Sequence, residues 1–314
     1  MRRLLALLAA LGISLVSYAG LFVFVLDKPL TVGELGAVLA FKQQRLQHLA
    51  RPGIVVFAGS NGHYSHRCEA IAEVSGRDCV NMAVSVELGT RYQLDKLRGA
   101  LESGDLVYLP LEYAYYASAA GERTGQDIPY YLWHDRDYLL EAGWDERLHA
   151  IFYSDLPFVF SALTEMVAVR FGAVASSPGV GSLNAWGDRV GHQDASGDIF
   201  IRNFSAYRFN IQAPADTGLD AFLAWCRAQG VRVVGGLPTT PREAPIPNDL
   251  IAGIRDYFVS RGHAFLELPN RSRYPRDRFY DSDYHLAEPW QIIHSRRVAR
   301  SLMALAGDAA TREF

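Results

Sequence analysis

Ile54-Val55-Val56-Phe57-Ala58-Gly59-Ser60-Asn61-Gly62 is the stretch whose reading decides the fold. A short apolar run that ends in a Gly-Ser-Asn-Gly turn predicts a buried strand that delivers its last residues to the edge of a sheet. His63 to Val74, closed by Gly76, then suits a helix, and Cys79 to Val84 suits a second strand. Leu94, Leu97 and Leu101 fall at helical spacing before Ser103-Gly104, and Asp105 to Leu111 reads as a third strand. The alternation returns late in the chain. Leu219, Phe222, Leu223 and Cys226 form a helical stripe stopped by Gly230, Val231 to Val234 is a strand, Leu250 to Ser260 a helix, and Ala264 to Leu268 a strand. Strands and helices in this order predict an α/β fold: a parallel sheet between two helical layers.

Outward from that stretch, residues 114–215 break the alternation and read as an inserted cap. Within it Leu156 to Val169 suits a helix and Ser176 to Gly197 a loop. The N-terminus differs from both. Leu4 to Leu26 carries no charge for 23 residues, more than the ~20 needed to cross a hydrocarbon core. Arg2 and Arg3 precede it, which predicts residues 1–28 to be a membrane anchor with the N-terminus inside and residues 29–314 exported, in a bacterial inner membrane and its periplasm. A cleaved signal ending at Ser17-Tyr18-Ala19 is the alternative, but the apolar run continues past it to Leu26.

Composition narrows the function. A net charge of -3, from 31 basic and 34 acidic residues, gives no field for nucleic acid, so none is expected as a partner. Cys68, Cys79 and Cys226 have no zinc spacing, although export would permit a Cys68–Cys79 disulfide. His63 and His66 lie three apart with no carboxylate or cysteine pattern to complete a metal set, and no glycine pattern cradles a nucleotide. Neither metal nor cofactor is expected.

Ligands of open parallel sheets collect at the carboxyl ends of the strands, where Ser60 is placed. A serine nucleophile needs a base, and the base an orienting carboxylate. The loop Phe279-Tyr280-Asp281-Ser282-Asp283-Tyr284-His285 offers both after the last strand.

The Gly59-Ser60-Asn61 turn, the Asn81-Met82-Ala83 strand end and the Asp281 to His285 loop resemble the first, second and last motif blocks of the SGNH (GDSL-like) hydrolases. The chain is most similar to their membrane-anchored branch, which includes alginate O-acetyltransferases and teichoic acid D-alanyl transfer proteins. The resemblance implies a three-layer, flavodoxin-like sheet. It also implies a serine acyl esterase or O-acyltransferase that acts on an envelope or exported polysaccharide beside a membrane-bound acyltransferase. It casts Ser60 as nucleophile, His285 as base, and Gly59, Asn61, Ala83 and Glu112 around the oxyanion and substrate. Three positions depart from the pattern. The family's aspartate position is Ser282, which leaves Asp281 or Asp283, with Asp281 favoured by its reach around a turn. Ala83 replaces a glycine, and Glu112 stands where an oxyanion-donating asparagine is usual. These departures also admit a non-catalytic polysaccharide-binding subunit.

Overall fold

The computed structural model of the chain describes residues 2–26, 30–85, 88–116, 179–195, 198–204 and 218–310, with short pieces between 135 and 172. Its strands are β1 (Ile54–Val56), β2 (Cys79–Asn81), β3 (Leu106–Leu109), β4 (Arg232–Gly236), β5 (Thr240–Pro241), β6 (Ala264–Leu266) and β7 (Arg273–Tyr274). Its helices are α1 (Arg2–Leu26), α2 (Leu30–Gln47), α3 (Ser60–Ser65), α4 (Cys68–Ser75), α5 (Thr90–Arg98), α6 (Arg136–Glu141), α7 (Leu219–Ala228), α8 (Asn248–Ser260) and α9 (Glu288–Ala310).

Five strands pair in parallel in the order β2-β1-β3-β4-β6, so the expected doubly wound α/β sheet is present. β1, β2 and β3 are buried throughout, as a sheet covered on both faces requires. Alternation along the strands divides the core. Ile54, Val56, Leu106 and Tyr108 face one layer, where they pack with Ile71 of α4 and Val298 and Leu302 of α9. The other layer holds α7, which packs on α5 and β4, and α8, which packs on β4 and β6. A methyl group on Gly235 would sit 2.5 Å from the Phe258 ring of α8, so this layer comes too close to β4 for any side chain there.

One expected element is corrected. The helix predicted over His63 to Val74 is two helices, α3 and α4, separated by His66 in an extended conformation (φ -119°, ψ 140°). Asn81 Nδ2 donates to the carbonyls of both Gly62 and His66, and Ser65 Oγ bonds a distant loop, so α3 ends where its groups find partners outside the helix. Cys68 and Cys79, at the starts of α4 and β2, are joined by a disulfide.

The chain divides into two compact units, residues 1–37 with 125–179, and residues 38–124 with 180–314. The predicted insertion is thus shared: residues 125–179 belong to the unit that contains the N-terminus, and the stretches on either side of them belong to the sheet domain. Most of the helix expected over Leu156 to Val169 lies outside the described residues. α1 is helical as expected, with Leu4, Leu5, Leu7, Leu8 and Leu11 exposed. The expected span is not met among the described residues, none of whose helices is long and apolar enough to cross a membrane. The side chains of residues 21–26, the end of the uncharged run, lie outside them.

Candidate active site

The sheet order reverses between β1 and β3, and the residues that follow these two strands face each other there. Ser60 opens α3 directly after β1, half-buried. Glu112 follows β3 and is fully buried. Its carboxylate accepts the Gly59 N–H at 3.0 Å and the Asn61 N–H at 2.7 Å, one on each side of the serine. Burial raises the Glu112 pKa, although these amides and the nearby His285 pull against that. Glu112 is thus engaged by the backbone of the turn that carries Ser60. The Ser60 N–H has no partner among the described residues, whereas the Ala83 N–H is bonded to Asn81 Oδ1 at 3.1 Å.

The side chain of Asn61 is buried and engaged as well. Its Nδ2 donates to Thr239 Oγ1 at 2.7 Å and to the Tyr284 carbonyl at 2.9 Å. Ser65 Oγ lies 2.8 Å from the same carbonyl and accepts the Leu286 N–H at 3.0 Å. α3 is thereby fastened at two points to the loop that carries His285. Gly62 permits this packing, since a methyl group there would lie 2.5 Å from Ala83 Cβ and 2.9 Å from Ala58 Cβ.

The loop itself is a tight turn. Phe279 and Leu286 bridge its base, and Tyr280 N–H donates to the His285 carbonyl at 2.8 Å. This closure brings Asp281 Oδ1 within 2.6 Å of His285 Nδ1. Burial would raise the Asp281 pKa, but the hydrogen bond and charge of His285 outweigh it and hold the carboxyl below its ordinary value. Asp283 is 1% exposed and serves elsewhere: it accepts the Arg202 N–H at 2.8 Å and pairs with the Arg202 guanidinium. Of the two candidates, Asp281 is the one that meets the histidine. With Nδ1 engaged, His285 Nε2 is its free lone pair.

His285 stacks on Tyr64 of α3, ring centroids 4.1 Å apart and planes 15° from parallel. Tyr64 follows Ser60 by four residues, so the two share a helix face, and helical side chains lean toward the N-terminus. The imidazole and the serine are thus brought to one face of α3. Tyr280 and His192 also pack around Tyr64, and the Arg189 guanidinium lies 5.5 Å from its centroid.

Several site residues escaped the sequence reading. Lys42 is fully buried beneath α3, with Nζ 3.1 Å from His63 Nδ1 and bonded to the Ala83 carbonyl. Burial lowers its pKa, and the Asp188 carboxylate opposes this. Asp188 accepts the Cys68 and Glu69 N–H groups at the start of α4, which anchors the 184–190 segment against the site. The signal for Lys42 was present: Leu39, Lys42 and Leu46 keep helical spacing, which places a lysine on the buried stripe of α2. Asp188 and Arg202 stand in segments without periodicity and gave no such signal. Among the described residues no cluster of three or more His, Cys, Asp or Glu side chains could hold a metal.

No protein-family model matches the chain, and comparison with curated proteins finds no match.

Proposed function

We propose that the protein is a serine acyl esterase or O-acyltransferase with the triad Ser60, His285 and Asp281, similar to the SGNH hydrolases and acting on acyl esters of an envelope or exported polysaccharide. The observation that carries this reading is the stacking of His285, itself bonded to Asp281, on the helix face that Ser60 opens. Ser60 Oγ attacks the ester carbonyl carbon as its proton passes to His285 Nε2, and the carbonyl electron pair moves to oxygen. When that pair returns, the alkoxide leaves with the proton from His285. The acyl-serine then passes its acyl group to water or to a sugar hydroxyl, whose proton His285 takes. Asp281 holds the imidazole in orientation and stabilises its charged form.

The compartment belongs to the same proposal. The buried disulfide suits an oxidising space, and the uncharged run with exposed leucines on α1 suits an inner-membrane anchor beside a partner that supplies acyl groups. A second reading, a polysaccharide-binding subunit without catalysis, has one observation in its favour: the Ala83 N–H is already bonded and cannot serve an oxyanion.

The two readings part in one experiment. The full-length chain, purified in detergent, is expected to react covalently with a fluorophosphonate, and Ser60→Ala to abolish labelling with the melting temperature unchanged. A wild-type chain that never labels, yet retains glycan, overturns the enzyme reading.

A further inference from the structure

With Ala83 N–H bonded to Asn81 and Glu112 engaged by the turn that carries Ser60, the acyl-transfer reading lacks a side-chain donor for the oxyanion. His63 is the group on α3 that the mechanism has not used. It follows Ser60 by three residues, and its side chain leans back over the turn that holds the nucleophile. The residue is 8% exposed, and its two ring nitrogens differ. Nδ1 faces Lys42, whose pKa burial lowers to about 7 against the pull of Asp188; below that pH Lys42 is an ammonium with donors and no acceptor, so Nδ1 accepts and the single ring proton sits on Nε2. No described group bonds Nε2. The ring is neutral, because burial first, then the charges of Lys42 and Arg189 and the neighbouring His285 and His192, hold its pKa well below the ordinary histidine value. A ring in this state cannot act as a base through Nε2; it can only donate there.

We infer that His63 Nε2–H is an oxyanion donor of the Ser60 site, and that Lys42 is the positioning residue that fixes its tautomer. The inference rests on the acyl-transfer reading. As Ser60 Oγ bonds to the carbonyl carbon, the carbonyl pair moves to oxygen, and His63 donates a hydrogen bond to that oxygen without giving up its proton. The same ammonium grips the Ala83 carbonyl, so one buried cation ties the donor to the strand end beside it. A preorganised donor aimed at developing charge is worth about 10²–10³-fold in rate.

The test measures the fluorophosphonate labelling rate of the full-length chain, together with the ¹⁵N spectrum of His63. His63→Leu is expected to label about 10²–10³-fold more slowly. His63→Gln, whose amide N–H replaces Nε2–H, is expected to recover most of that loss. The wild-type spectrum is expected to show a protonated Nε2 and an accepting Nδ1, and Lys42→Met to mix the two tautomers. Should His63→Leu fail to fold, the Gln variant and the spectrum still decide. Labelling at the wild-type rate in both His63 variants, or a proton found on Nδ1, overturns the assignment and leaves the serine-enzyme reading standing. A wild-type chain that does not label removes both.

Discussion

Asp281 and Asp283 stand two residues apart and have different partners. Asp281 is half exposed and bonded to His285, whereas Asp283 is buried and bonded to the backbone and guanidinium of Arg202. The order of effects follows. Asp281→Asn is expected to slow labelling and any esterase activity by about 10⁴-fold, since an uncharged partner no longer stabilises the imidazolium, and to leave the fold intact. Asp283→Ala is expected to keep labelling within several-fold and to lower stability by about 1–3 kcal/mol, read as a lower urea midpoint, because it strips a buried acceptor from Arg202. The opposite order would hand the orienting role to Asp283. At this scale the pairing of Asp281 with His285 was legible, because both lie in one short loop. Glu112 was legible as a position and not as a role, since the amides that occupy it belong to a turn more than 50 residues away.

The first strand and the helix after it illustrate what an element inherits from its neighbours. Local pattern predicts one helix after Ser60, but the partners of Asn61, Gly62, Ser65 and His66 are Thr239, Tyr284, Leu286 and Asn81, none of them local. Long-range satisfaction of buried polar groups therefore sets the break between α3 and α4. The disulfide adds a covalent tie between α4 and β2. Closing so short a loop restricts the unfolded chain by about 3 kcal/mol. The double variant Cys68→Ala/Cys79→Ala is expected to lose about that much stability in urea unfolding and to keep labelling, because α3 is held by the His285 loop and not by the bridge. Unchanged stability would mean that the two thiols are not joined in the protein.

Across the whole molecule the parallel sheet and its two helical layers were readable from alternation, whereas the order of the strands was not, nor the division into two units, which joins residues 1–37 to 125–179 past residues 38–124 of the chain. Buried histidines give the sheet domain a common response to acid. His66 and His294 sit 3.2 Å apart, Nε2 to Nε2, and Tyr274 bonds His294 at 2.9 Å. Burial drives the His66 pKa down to about 3 and that of His294 well below its ordinary value. His192 is lowered to about 4, also chiefly by burial. The unfolded chain binds protons at these sites near pH 6.5 and the folded chain does not, so their contribution is complete above that pH and is lost as the pH falls toward the folded values. Stability is expected to drop by about 2 kcal/mol for each fully buried histidine between pH 7.5 and 5. Urea midpoints across that range measure it, and His294→Phe should flatten the profile; a flat wild-type profile would mean that the pair is charged or hydrated in the fold. The fastening of Ser65 to Leu286 spans 221 residues. At ~5–20 residues per second, a ribosome needs roughly 10 to 45 s to supply the partner after the serine has emerged. Until then the Ser60 turn has neither His285 nor the groups that fix it, so on the proposed reading the nascent chain carries no reactive serine while it is being made.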